Sequence, residues 1–567
     1  MDTLAKTRRI LLITQLTIFG CAVIVYLNSL GNQFALDDHI HIVTSPKIRS
    51  LEQAFSAFWS GMFPGNLYRP LVVLSYAGTY ALFGLNPLPY HLTNILLHAL
   101  NSVLVFRLLF LFSNLRVAAL VALFFAIVPS GTEVVANISG RSELLSAFFL
   151  LNTLVLATGE GLWSTGKLNT QRALSIFASF LCALFSKESA VVAPLLFLIC
   201  ISARRFSWID RRAIITLLAI FGSALVIYLT LRANALGGLF GQGIHIDFLD
   251  NPLIALPWNE RLLGTFSLLG RYLILPLSVD PLSADYSFAF MQPTLLSDWR
   301  AYFELFLALI IAVAAFTKRT TPAILWFASA WFLGAFLVTS NIFFPIGTIF
   351  AERLAYLPNI GAILIMIWGL DRLKAAPALE IFTFLIISVR AITLTSIRNQ
   401  EWRDDERLYT KQIQVSPQSA KTQLNYGVVL REKGDQEGAE RRFRAALEIY
   451  PQFADAYFNL GLTSALKGDE KAGAEFLKKA IELNPAHIPA IDTLGRYYLR
   501  DGEFVNAKQQ FERALKLDPQ YFSARIGLLA ALVNLKETAE ARALYEALVK
   551  IDPENIELVP FRKIFGF

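Results

Sequence analysis

The sequence predicts an all-α protein in two parts. Residues 1–400 read as a polytopic bundle of about 11 membrane-spanning helices, 401–417 as a linker and 418–567 as an α-solenoid of repeated helix pairs. Three observations carry this. The chain of 567 residues is 55% hydrophobic and only 17% charged, with a mean hydropathy of +0.50, too apolar for a soluble protein. Basic residues gather in short turns between apolar runs, as orientation in a membrane requires. After Arg398 the composition turns polar, and Pro417, Pro451, Pro485, Pro519 and Pro553 recur every 34 residues.

Lys6, Arg8 and Arg9 precede an apolar run from Ile10 to Leu30. No small-residue cleavage site closes it, so we expect a retained anchor with a cytoplasmic N-terminus. Leu51–Trp59 has interfacial helical spacing, and the apolar stretch Leu71–Phe83 is too short to span. The spans expected next are 88–112, 116–130, 142–158, 171–187, 189–203 and 212–231. Their basic turns hold Arg107 with Arg116, Lys167 with Arg172, and Arg204, Arg205, Arg211 and Arg212, all on the cytoplasmic side if the chain alternates. Further spans are 301–317, 321–340, 356–370 and 378–397, with Lys318, Arg319, Asp371, Arg372 and Lys374 in the intervening turns. Arg261–Ser278 is left out of the count, because a span there would put those later basic turns outside.

The 34-residue period marks tetratricopeptide repeats. Small residues recur at Gly427, Gly461 and Gly495, at Ala439, Gly473, Ala507 and Ala541, and at Ala446, Ala480 and Ala514. Leu529 and Leu548 break two of these series in the fourth repeat. A bulky position holds Phe443, Leu477, Phe511 and Tyr545. Small residues admit close helix packing, the bulky ones fill the gap between repeats, and proline ends the second helix.

The net charge of +7 is mild and calls for no nucleic-acid partner, and the 3 cysteines lie in apolar runs at no metal-ligand spacing. The polar islands expected on the non-cytoplasmic face carry the chemistry. They are Asp37-Asp38-His39-Ile-His41, Tyr68-Arg69-Pro70, Tyr90-His91 with Asn94, Thr132-Glu133 with Arg141 and Glu143, Lys187-Glu188, Ala284-Asp285-Tyr286, and Ser340-Asn341 through Glu352-Arg353. Singly each has a structural reading: a snorkelling arginine, a core histidine, a helix-end ion pair. Together, ionisable side chains at span ends on one face argue for a polar cavity.

These residues also carry a family resemblance. Tyr68-Arg-Pro-Leu71, Leu85-Asn-Pro through Tyr90-His91-Leu-Thr-Asn94, Leu97-His98, Thr132-Glu133, Gly140-Arg-Ser-Glu143-Leu-Leu145, Ser186-Lys-Glu188 and Ser283-Ala-Asp-Tyr286 resemble the membrane part of the TMTC proteins. The most specific match is Ser340-Asn-Ile-Phe-Phe-Pro-Ile-Gly-Thr348, followed by Ala351-Glu-Arg353 and Tyr356-Leu-Pro358. TMTC proteins are transmembrane, tetratricopeptide-containing O-mannosyltransferases. The resemblance implies a GT-C-like glycosyltransferase that takes a sugar from a polyprenyl phosphate and passes it to an acceptor on the non-cytoplasmic side. It also implies that an acidic pair in the first outer loop, here Asp37-Asp38, is central to catalysis.

The expected mechanism follows. Asp37 or Asp38 is the general base toward an acceptor hydroxyl, with Glu133 beside them. Arg69, His91, Lys187 and Arg353 meet the lipid phosphate, supported by Glu188, Tyr286 and Glu352. Two alternatives stay open for a metal: a divalent cation (Mg²⁺ or Mn²⁺) on Asp37, Asp38 and Glu133, or phosphate charge met by Arg and Lys alone. The repeat groove is expected to hold an acceptor protein or glycan. The expected location is a bacterial inner membrane, in contact with its lipids, with periplasmic repeats. The rival reading is a non-enzymatic membrane-anchored repeat scaffold for an envelope complex, which leaves the acidic pair idle. A transporter would want internal symmetry of spans and acids at mid-membrane; the chain has no obvious symmetry, and its acids lie at span ends.

Overall fold

The computed structural model describes residues 2–61, 67–159, 168–203, 211–239, 246–288, 299–373, 376–552 and 555–565. Lys167, Arg204, Arg205, Lys374 and Pro553, used above for orientation and repeat spacing, lie outside them. Every element of regular structure among the described residues is helical. The chain divides into two compact units, Met1–Ser416 and Pro417–Phe567.

In the first unit each expected span is a helix. These are α1 (Asp2–Tyr26), α4 (Pro87–Phe110), α5 (Leu115–Ile127), α7 (Arg141–Thr158), α8 (Thr170–Ser186), α9 (Ala193–Ala203), α10 (Arg211–Leu236), α12 (Trp299–Phe316), α13 (Ala323–Phe336), α14 (Asn359–Arg372) and α15 (Pro377–Glu401). Between them lie α2 (Leu51–Ser56), α3 (Pro70–Phe83), α6 (Thr132–Val135) and α11 (Trp258–Ile274), and α16 (Asp405–Val415) fills the stretch expected as linker. Among the described residues, 6 helices are long and apolar enough to cross a membrane, 7 if the bent pair α5–α6 counts as one. They are α1, α4, α7, α10, α12 and α15, whereas α8, α9, α13 and α14 are shorter helices.

Burial separates the inner helices from the outer ones. The apolar windows of α4 and α7 are 61% and 67% buried, against 22% for α1, α10 and α12 and 17% for α15. The outer helices turn Ile24, Val226, Phe306 and Phe382 away from the protein, the arrangement a hydrocarbon solvent allows.

The inner face of α4 reads His91, Asn94, His98 and Asn101, all buried and spaced as one helical stripe. Three of these four serve the backbone. Pro129 follows α5 and the chain bends by 57° there. That break frees carbonyls that cannot find water in an apolar interior. His98 Nε2 lies 3.1 Å from the Ala126 carbonyl, and Thr395 Oγ1 donates to the Ile127 carbonyl at 2.8 Å. Asn94 Nδ2 donates to the carbonyls of Asn137 and Ile138 at 3.1 and 3.3 Å, and Asn101 Nδ2 to that of Leu144 at 3.0 Å. The turn closes at Gly140, where a Cβ would sit 2.2 Å from the Val134 carbonyl oxygen, so no side chain fits.

The second unit is a stack of helix pairs. They are α17 (Ala420–Glu432) with α18 (Gln436–Ile449), α19 (Ala454–Leu466) with α20 (Glu470–Leu483), α21 (Ile488–Arg500) with α22 (Phe504–Leu517), and α23 (Phe522–Asn534) with α24 (Thr538–Ile551), closed by α25 (Val559–Phe565). The turn within each pair takes a left-handed residue: Gly434, Gly468 and Gly502 at φ +87, +86 and +77, and Lys536 at +63. The bulky residue fills the gap inside its own repeat as well as toward the next. A Cβ on Gly427 would meet the Phe443 ring at 2.6 Å, and Phe511 touches both Gly495 and Gly527.

Candidate active site

The loop after α1 turns at Leu36, whose φ is +54, and the two carboxylates that follow it stand in different surroundings. Asp38 is 1% exposed. Its Oδ1 accepts from Ser139 N at 2.7 Å and its Oδ2 from Ala35 N at 3.2 Å, so it pins the loop to the turn before α7. Burial pushes its pKa up to about 7, against those two backbone donors, and Asp37 adds to the rise. Asp37 is exposed and lines a cavity of about 420 Å³, a volume suited to a small-molecule site.

Arg69, Lys187, Glu188 and Arg353 also line this cavity, with Glu143 and His41. Arg69 precedes the first turn of α3, Lys187 and Glu188 form the extended corner after α8, and Arg353 sits in the short turn Glu352–Ala355. Each cation is held by a carboxylate. Arg69 donates through Nε and Nη2 to both oxygens of Glu188, at 3.1 and 2.7 Å. Lys187 pairs with Glu143. Arg353 pairs through Nη1 with Glu133, whose Oε2 also accepts from Arg353 N at 2.9 Å. Burial alone would lower the Arg353 pKa, but Glu133 and Asp37 raise it, so its charge is secure. Among the described residues, Nη1 of Arg69 and Nε and Nη2 of Arg353 have no hydrogen-bond partner. Asp37 is the carboxylate in this set with neither an ion pair nor a side-chain hydrogen bond among the described residues.

One wall of the cavity is the segment 338–348. Asn341 adopts φ +61 there. Its Oδ1 accepts from Ile346 N at 2.8 Å and from Asn251 Nδ2 at 2.9 Å, and its Nδ2 donates to the Thr348 carbonyl at 3.2 Å. A short asparagine side chain suits both the left-handed backbone and these bonds, which accounts for the specific Ser340–Thr348 signature.

The remaining predicted residues stand elsewhere. Glu133 grips Arg353 from behind. His91 is fully buried on the inner face of α4 and does not line the cavity, because the helical register that puts Asn94 and His98 inward carries it inward too; it is not placed to meet a phosphate there. Glu352 and Tyr286 also stand behind the wall. Glu352 Oε1 accepts from Ser283 N, Tyr286 Oη and Arg398 Nη2 at 2.9, 2.8 and 2.7 Å, fixing the turn that presents Arg353. Asp37, Asp38 and Glu133 do not converge into a metal site. Asp38 is occupied by two N–H groups and Glu133 by Arg353, and among the described residues no three His, Cys, Asp or Glu gather to hold a metal ion. Reading the sequence left Glu143 and His41, among other lining groups, out of the site. Their signal was present, since both stand in the polar islands, but which island residues face inward is not a local property.

Comparison with known proteins bears on the two units of the chain. Tetratricopeptide-repeat family models match residues 427–468, 454–487 and 498–559, so the second unit is a tetratricopeptide array. The chain is 28% identical to the protein O-mannosyl-transferase F38B6.6 of Caenorhabditis elegans, over 75% of this chain and 61% of the relative. It is 25% identical to the human protein O-mannosyl-transferase TMTC3, over 74% of this chain and 50% of the relative. To human protein O-mannosyl-transferase TMTC4 it is 28% identical, over 75% of this chain and 65% of the relative. The resemblance read from the motifs is thus borne out, and the chain spans about half to two thirds the length of these curated relatives.

Proposed function

We propose that the chain is an integral membrane GT-C-type glycosyltransferase. It moves a hexose, mannose by analogy with the relatives, from a polyprenyl-phosphate donor to a hydroxyl of an acceptor protein on the non-cytoplasmic side. The observation that carries this is Asp37, which among the described residues has no ion pair, facing a cavity whose cations Arg69, Lys187 and Arg353 are each braced by a carboxylate.

Asp37 is the general base. It takes the proton of the acceptor hydroxyl as that oxygen bonds to the anomeric carbon. The bond from that carbon to the phosphate oxygen breaks, and the lipid phosphate leaves with the electron pair. Arg69, Lys187 and Arg353 meet the charge it gains. Because Glu188, Glu143 and Glu133 already hold these cations in place, little reorganisation accompanies bond breaking. A single displacement inverts the anomeric centre. His41, four residues from Asp37 and donating its backbone N–H to the Asp37 carbonyl at 3.0 Å, keeps Asp37 on one helical turn. Between them Asp38, Glu352 and Tyr286 hold the two loops that carry the base and Arg353.

The repeats supply a surface for the acceptor polypeptide, and covalent attachment to the catalytic unit raises its effective concentration. The orientation that agrees with the basic turns puts the N-terminus in the cytoplasm, and a bacterial inner membrane with periplasmic repeats fits it.

The test is the purified protein incubated with polyprenyl-phosphate mannose and an acceptor polypeptide. Hexose transfer with inversion, lost in Asp37→Asn, is expected. Donor turnover unchanged by Asp37→Asn, or no donor binding at all, would overturn the reading.

A further inference from the structure

Asp37 lines the cavity, and the residue before it is held in an unusual conformation. Leu36 has φ +54, a backbone region costly for a leucine, and such residues persist where surrounding structure imposes them. The imposing group comes from the other end of the first unit. Asp405, 369 residues after Leu36, accepts from Leu36 N through Oδ1 at 2.8 Å. Its Oδ2 lies 2.8 Å from His39 Nε2. One carboxylate therefore grips the backbone on one side of the Asp37-Asp38 pair and a side chain on the other.

The surroundings reinforce the grip. Gln33 N donates to the Arg403 carbonyl at 2.7 Å and Asn32 Nδ2 to the Asn399 carbonyl at 2.9 Å. Leu36 and Ala284 pack against a buried cluster of Trp402, Ala136 and Leu408. Asp405 is not needed to cap its own helix, because Asp404 does that, accepting from Arg407 N at 2.9 Å. The His39–Asp405 pair is also half exposed, at 45% and 32% of the side chains, and such pairs add little to stability. What the carboxylate does that no neighbour duplicates is satisfy Leu36 N in the left-handed turn.

We propose that Asp405 is a positioning residue for sugar transfer, acting through Leu36 and His39 to aim the Asp37 carboxylate into the cavity. This rests on the reading of Asp37 as the base. If the turn relaxed to negative φ at Leu36, the directions of Asp37 and Asp38 would no longer be fixed. The cavity would keep its cations and lose its base. Donor binding therefore survives the loss of Asp405 while chemistry does not.

The experiment uses the full chain in detergent or liposomes with polyprenyl-phosphate mannose. Asp405→Ala is expected to lower kcat by about 10²-fold, the usual consequence of a misplaced reacting group, with the donor KM little changed. His39→Ala, which leaves the Leu36 bond intact, should lose less. Leu36→Gly in the Asp405→Ala background relieves the backbone cost and should recover about tenfold or more, a rescue that a merely structural role would not give. Asp405→Ala added to Asp37→Asn should cause no further loss. Wild-type kcat in Asp405→Ala beside an inactive Asp37→Asn would overturn this inference and leave the site reading intact. So would a loss that Leu36→Gly does not recover and that adds to Asp37→Asn. Wild-type rates in Asp37→Asn would instead overturn the reading of the base, and this inference with it.

Discussion

Substituting the two adjacent acids separately tests the division of labour between them. Asp37→Asn removes a carboxylate that has no ion pair and no side-chain hydrogen bond among the described residues, so folding should change by no more than about 0.5 kcal/mol. Its catalytic cost is that of a positioned general base, about 10²–10⁴-fold in rate, equivalent to about 3–5 kcal/mol of barrier. Asp38→Asn should behave in the opposite way. The amide oxygen can keep the 2.7 Å bond from Ser139 N, but the amide nitrogen then faces Ala35 N, where the second carboxylate oxygen now accepts at 3.2 Å. Two donors facing each other in a buried site should cost about 1–3 kcal/mol of stability, and activity should fall only through that loosening. The assay is single-turnover transfer from labelled polyprenyl-phosphate mannose, with thermal unfolding of the same preparations in detergent. A folded Asp38→Asn protein with no transfer, beside an Asp37→Asn protein at near wild-type rate, would reverse the assignment.

Other outcomes can be checked independently. Because burial raises the Asp38 pKa from 3.8 to about 7, its contribution to folding is fully present below pH 3.8 and is lost as pH rises through about 7. Asn does not titrate, so the stability deficit of Asp38→Asn should be largest in acid and shrink by pH 8 in thermal melts. Gly140→Ala would place a Cβ 2.2 Å from the Val134 carbonyl oxygen, and should destabilise by about 3 kcal/mol or abolish expression. Lys536→Gly puts glycine at the left-handed position that Gly434, Gly468 and Gly502 occupy in the other repeats, and should stabilise the repeat unit by about 1 kcal/mol, read as a higher unfolding midpoint. Because Asp38 and Glu133 are taken up by other partners and no three acids gather among the described residues, transfer should persist in EDTA; dependence on added Mg²⁺ or Mn²⁺ would show that the carboxylates rearrange around a cation.

Much of the architecture was legible because its causes are local. A helix in an apolar solvent satisfies its own backbone, so runs such as 212–231 and 301–317 mark their helices α10 and α12 without reference to the rest of the chain. The repeats were legible for a similar reason. Their contacts, Gly427 on Phe443 or Gly495 on Phe511, fall within one period and repeat with the sequence. The break after α5 was missed: the expected span 116–130 runs through Pro129, where the chain bends by 57°, and the side chains that satisfy the break, His98 and Thr395, come from distant segments. His91 shows the limit of reasoning by residue type. It shares motif and helix with the stripe that serves the backbone, and burial removes it from the cavity.

The sequence by itself determined which residues were available: an acidic pair after the first span, cations and acids at later span ends, and a proline-punctuated array of helix pairs. Tertiary structure decided which of them act together. The pairs Lys187–Glu143, Arg69–Glu188 and Arg353–Glu133 join residues 44, 119 and 220 positions apart, and Asp405 reaches back 369 positions to the turn at Leu36. Asp37 and Asp38 are chemically identical neighbours. In the folded chain Asp37 lines the cavity and Asp38 is buried, and the turn at Leu36 just before them is bonded to Asp405 from the far end of the unit.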